Sequence, residues 1–303
     1  MTRSRCLAAA ASLALAAPLF GQTGGPPAGT PAPSAAAAPA PAATPSAAAM
    51  AEGKAAFAKV IEWLGGSAKI ASVRDVRTRG RLTAKTPEGD ATMEVQSSMV
   101  FPYHLVQEID SPFGRVAMVV TPSSAFLAGP NGAQDLPPAA ADELRRQVVR
   151  IPLNLTRNAS DPKLKVWVSG RETVGDAEAT ILDIDYGSTA VRWFVETKTG
   201  RILRTSHEGR AADGRSVRMV SDYEDYKVVE GVPVAHRLEI TTNGERDQTL
   251  IIDEYRFNVG VERSLFEKPT PAPASAEPSH PLHSAPVEPV TPAPPPATPS
   301  RPS

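Results

Sequence analysis

Three carboxylates crowd the stretch SDYEDYK: Asp222, Glu224 and Asp225, interleaved with Tyr223 and Tyr226. Acids at that density could hold a hard cation or pass a proton, if their side chains converge. On a strand they do not, because successive side chains point to opposite faces. Asp222 and Glu224 then share one face, while Tyr223 and Asp225 share the other with Val217 and Met219. Without a bulge the cluster reads as a wet outer face, with tyrosines covering an edge. Asp183 and Asp185 give the same pattern, their neighbours Leu182, Ile184 and Tyr186 taking the opposite side.

The other reactive residues are sparse. His104, His207 and His236 fall on separate predicted strands, and His280 and His283 lie in a proline-rich tail that cannot form a helix. The single cysteine, Cys6, precedes an apolar run and would leave with it, so thiol chemistry and disulfides are excluded from the remainder. No metalloprotease, nucleophile-elbow, phosphate-loop or dinucleotide motif occurs. The sequence nominates no catalytic residue, metal ligand or cofactor site, and the expectation is a protein that is not an enzyme.

The elements that must position any site are bounded by composition. Residues 1–22 carry Arg3 and Arg5, an apolar run from Leu7 to Ala17 and a small polar end, the layout of a secretory signal too short to span a bilayer. Export to the periplasm or the extracellular space is expected, with no transmembrane segment in the mature chain. Residues 23–50 and 269–303 hold 7 and 13 prolines and no aromatic residue, and read as a disordered linker and tail. Between them, 51–268 forms one domain with 29 Lys and Arg against 31 Asp and Glu. That balance gives no field for nucleic acid.

Within the domain, Phe57, Val60, Ile61 and Leu64 mark one helix stopped by Gly65-Gly66, and a second is expected from Pro138 to Ile151 with the stripe Leu144, Val148, Ile151. Nearly everything else alternates with period two and is cut by turn signals at short spacing, which demands antiparallel neighbours. The fold class is mainly β (α+β): an antiparallel half-barrel of about ten strands, in blocks 72–128 and 163–258, with two helices against its concave face. Met93, Val95, Met99, Phe101, Phe113, Val116, Met118 and Trp193 would supply an apolar sheet face, with Leu144 and Val148 facing it from the helix. Those ten are the candidate ligand-binding residues, methionine being a side chain that repacks around varied ligands.

The run Glu62-Trp63-Leu64-Gly65-Gly66, then KIASVRDVRTRGRL (69–82), MVFPYHLVQEIDSPFG (99–114) and RIPLNLT (150–156), with DYKVVEGVPVAHRLEI (225–240) and YRFNVGVERSLFEKP (255–269), resembles periplasmic LolA-like lipoprotein-sorting and lipid-handling domains. It is especially similar to the version appended to some insulinase-type peptidases. The resemblance covers about 62–269. It implies a half-barrel plugged by helices, and as partners lipid or lipoprotein acyl chains together with an envelope protein. No family residue is carried over, since the arginine that gates the cavity of true carriers has no counterpart. Alongside lipid binding stand a non-catalytic interaction module with a filled core and an accessory domain of a secreted peptidase.

Overall fold

The computed structural model describes residues 44–87, 89–111, 114–210 and 215–269. The expected signal peptide, most of the linker, Phe113 and the tail from 270 lie outside the described residues.

Period-two alternation produces one antiparallel sheet. Its first block holds β1 (Asp75–Thr86), β2 (Gly89–Val100), β3 (His104–Ser111), β4 (Gly114–Val120), β5 (Ala125–Gly129) and β6 (Gly132–Asp135). The second holds β7 (Leu164–Val174), β8 (Ala177–Tyr186), β9 (Thr189–Glu196), β10 (Ile202–Arg210), β11 (Ser216–Val229), β12 (Val232–Thr242) and β13 (Glu245–Phe257). Each block is a meander, and the two join side by side through β1 and β13, giving 13 strands in the order β6-β5-β4-β3-β2-β1-β13-β12-β11-β10-β9-β8-β7. The sheet does not close, because β6 and β7 are its two edges. At the seam the register shifts between Arg79 and Gly80. A Cβ on Gly80 would stand 2.0 Å from the Ile251 carbonyl oxygen, so only glycine lets β13 approach there.

Among the described residues four α-helices accompany the sheet: α1 (Ala47–Trp63), α2 (Ser67–Ser72), α3 (Pro138–Arg150) and α4 (Pro152–Arg157). The apolar stripes of the sequence predict two of them, α1 and α3. Helix α1 begins ahead of residue 51: the Ser46 hydroxyl accepts from the Ala49 amide at 3.1 Å and caps it. It ends at Gly65 and Gly66, both at positive φ, with Gly66 N–H donating to the Ile61 carbonyl at 2.8 Å. Pro152 closes α3 as expected, but its fixed φ also suits a first helical turn, and α4 starts on it.

The core divides between the helices. Leu144 and Val148 of α3 close over Leu82, Val95, Leu105 and Met118 in the first block. Phe57 and Val60 of α1 pack on Leu182 and Trp193 in the second, and the Phe57 ring stacks on Trp193 at 5.6 Å. Helix α4 is tied to α2 by Arg157, whose Nη1 donates to the carbonyls of Ile70 (2.6 Å) and Val73 (2.7 Å). On the opposite face of the first block, Val106, Val119 and Phe126 are covered by Phe266 of a final 3-10 turn, Arg263–Phe266. That segment is anchored by Asp75, whose carboxylate accepts from the amides of Val259 (2.8 Å) and Gly260 (3.3 Å).

Candidate functional site

Asp222, Glu224 and Asp225 do not converge. Asp222 accepts from Arg204 at 2.6 Å, Glu224 from Arg237 at 3.1 Å, and Asp225 pairs with Lys227 at 2.9 Å. Each carboxylate therefore answers a different cation, as does Asp183, held by Arg192 on the next strand at 2.6 and 2.9 Å. Such partly exposed pairs contribute ~0–1 kcal/mol apiece. Among the described residues no group of three His, Cys, Asp or Glu side chains could hold a metal.

The same stretch does something else. Asp225 sits at φ 49°, and the β11–β12 ladder skips it. Alternation changes phase at that residue, so Tyr223 and Tyr226, three apart, both face the interior. They do not cover an edge; they line a cavity. Tyr255 of β13 joins them, and each hydroxyl has a partner within the protein: Tyr226 donates to the Ile202 carbonyl and Tyr255 to that of Ala235, both at 2.8 Å, while Tyr223 meets the Thr205 hydroxyl at 3.5 Å. Burial raises all three phenols above their ordinary pKa, so they stay neutral and present their rings to the space.

The cavity has a volume of about 310 Å³ and lies between the concave face and the helices. At one end it meets Trp63 and Leu64 from the last turn of α1 and Val232 and Pro233 from the β11–β12 turn; Trp63 stands edge-on to Tyr226 at 4.8 Å. Its floor is apolar, with Leu238, Ile240, Leu250 and Ile252 from β12 and β13. Its roof is the α3–α4 junction, Arg150 to Leu153. Asn154 fixes that junction, its Nδ2 donating to the carbonyls of Pro102 (2.5 Å) and Val148 (2.9 Å).

The ten residues singled out from sequence scatter around this space. Met99 and Phe101 line it. Val95, Met118, Leu144 and Val148 are buried in the packed cluster beside it, with Met93 half-buried against them. Trp193 is fully buried under α1, and Val116 is half-buried on β4 opposite Ile109. Phe113 lies outside the described residues. None of the ten lies on β10 to β13, which contribute much of the wall. The available signal was Met219, Ser221 and Tyr223 at period two, which the neighbouring acids obscured.

One end of the cavity is polar. Gln147 and Arg150, one helical turn apart on α3, and His207 of β10 reach it. Arg150 is buried and bonded to Glu143 at 2.7 Å, and the same carboxylate accepts from Arg146 at 2.6 Å. Burial pulls the Arg150 pKa down from its ordinary value, and the Glu143 carboxylate opposes that shift. His207 is pushed down to about 3, first by burial and then by the Arg150 charge, so it is neutral at pH 7.

These features define a class: an open antiparallel half-barrel, roofed by helices, with an apolar cavity on its concave side. It is the architecture that the LolA-like resemblance implied. Among solved structures, the chain matches a DUF1329 family protein from Desulfovibrio piger with 10% identity and a TM-score of 0.50, covering 71% of this chain and 96% of that one. A LolA superfamily protein from Nitrosomonas europaea matches with 11% identity and a TM-score of 0.49, over 71% and 98%. A putative outer membrane lipoprotein-sorting protein domain from Vibrio parahaemolyticus matches with 14% identity and a TM-score of 0.48, over 72% and 97%. At such identities the likeness is one of fold. No family model matches the sequence, and no curated protein matches it. Nothing in these comparisons bears on the narrower likeness to the peptidase-appended version. Among the described residues no helix is long and apolar enough to cross a membrane.

Proposed function

We propose that this is an exported, non-catalytic envelope protein that binds a lipid, the acyl chain of a lipidated protein or another hydrophobic ligand on the concave face of its sheet. One observation supports the reading above the rest: the concavity is not filled, and its walls are apolar and aromatic along β11, β12 and β13. Its volume of about 310 Å³ falls at the small end of the ~300–1,000 Å³ typical of ligand pockets. That suits one hydrocarbon chain. Each methylene transferred from water contributes roughly 0.8 kcal/mol, so ten would supply about 8 kcal/mol before the cost of association is subtracted. Reversible burial of a chain needs no chemistry, in keeping with a site whose titratable groups are paired or neutral. The α3–α4 segment would act as the plug that a ligand displaces.

Native mass spectrometry of the protein purified from an envelope fraction tests this. The expected spectrum shows a mass increment removed by organic extraction. A bare polypeptide mass, unchanged after incubation with envelope lipids, would leave only a scaffold.

A further inference from the structure

The polar end of the cavity carries more hydrogen-bonding capacity than the protein uses. Gln147 is 5% exposed, yet neither its amide nitrogen nor its oxygen has a protein partner. His207 Nε2 is likewise buried without one. Gln107, 2% exposed on β3 and also lining the cavity, leaves its Oε1 unpaired. Buried polar atoms are seldom left unpaired. All three residues line a space whose other walls are greasy, and the Gln147 Nε2 is the unpaired amide donor that an accepting group there would meet.

The position of this end follows from the strand register. His207 pairs with Met219, near the start of β11, whereas Val229 pairs with Val232 at its far end. Met219 to Tyr226 spans roughly 23 Å along the strand at about 3.3 Å per residue. One end of the cavity is therefore lined by Trp63, Val232 and Pro233, and the other by Gln147, Arg150 and His207.

Beyond that polar end lies a second cavity, of about 640 Å³. Arg150, Val191 and His207 line both, so they form a shared wall. Its lining brings Glu143, Arg146 and Arg150 together beside the shared wall. Arg146 and Arg150 share the single charge of Glu143. Positive charge thus exceeds negative where the greasy cavity ends.

We propose that the cavity takes a single-chain amphiphile with an anionic, hydrogen-bond-accepting head, its chain running toward Trp63 and its head at Gln147, Arg150 and His207, where the two cavities meet. The inference rests on the hydrophobic-ligand reading above and adds orientation and head-group charge. A carboxylate and a phosphate offer the same chemistry: oxygens that accept from the Gln147 amide and the Arg150 guanidinium.

Four probes with one chain and different heads decide it, measured by calorimetry on the full chain below their micellar concentrations: dodecanoate, dodecyl phosphate, dodecanol and dodecyltrimethylammonium. The two anions are expected to bind at least about tenfold more tightly than the cation, the scale of one charge-assisted hydrogen bond, and their ratio tells carboxylate from phosphate. Gln147→Leu and Arg150→Met should each weaken anion binding by about tenfold and leave dodecanol within about twofold. Dodecanol binding also reports that each variant has folded, and if one does not fold the other decides. Equal affinity for cation and anions, or a head preference that survives in the folded variants, overturns the inference while leaving the hydrophobic-ligand reading intact. Failure of all four probes to bind overturns both.

Discussion

Ser221 faces the cavity from β11, opposite Thr205 on one side and Ile240 on the other. Replacing it by isoleucine exchanges a hydroxyl for three carbons and introduces a β-branched side chain suited to a strand. If the neighbouring space is free, those carbons leave water for an apolar site at roughly 0.8 kcal/mol each, a gain of about 2 kcal/mol. Were the concavity solidly packed, the same atoms would force side chains off their rotamers and cost about 1–3 kcal/mol. The two cases differ in sign, which makes the substitution a direct measure of free volume. Urea unfolding of the ligand-free protein, followed by tryptophan fluorescence, supplies the midpoint and slope. A higher midpoint at unchanged slope is expected, together with weaker binding of any apolar ligand that competes for the space. A lower midpoint would refute the claim that the concave face holds unfilled room.

Three further outcomes follow from the packing. His207 takes a proton near 6.5 when unfolded but only near 3 when folded, so acid draws the chain toward the unfolded state. Between pH 7 and pH 5 this should remove about 2 kcal/mol of stability, and His207→Gln should lack that part of the slope in unfolding measured across the range. Asp75→Ala frees the amides of Val259 and Gly260; a loss of ~1–3 kcal/mol is expected, with hydrogen exchange at Phe266 and its neighbours speeding up more than exchange at α3. Asp222→Ala should cost no more than about 1 kcal/mol and leave calcium and zinc titrations as flat as in the parent protein; a lost binding isotherm would restore the acids as a metal site.

The sequence carried the architecture further than the site. Strict alternation in β2, β4, β8 and β9, with turns between, made two antiparallel meanders legible, and the stripe of α3 could be read to within a residue of its end. About ten strands became thirteen partly because β5 and β6 are short and too poor in alternating residues to register as a pattern. The pairing of β1 with β13 left no local trace: it joins Val76 to Phe257, and Gly80 permits the close approach it requires. Of the described candidate residues only Met99 and Phe101 fall on the cavity wall, for a related reason. Periodicity tells which face a residue takes, but not whether that part of the face is filled. Met118 and Trp193 lie under α3 and α1, where helices fill the space, whereas Met99 and Phe101 lie where they do not. The phase change at Asp225 was hidden too, because a single positive φ at an aspartate looks like any other surface acid, and it turned two tyrosines from an expected edge into the cavity wall.

Ligand binding requires hydrocarbon to enter the space between β11–β13 and the α3–α4 junction. Crystals of the protein grown with a dodecanoate brominated at its chain terminus would place that chain by anomalous scattering. The bromine peak is expected inside the cavity, close to Trp63 and Val232. A peak confined to the outer face of the sheet, or no peak in protein saturated with the probe, would contradict it.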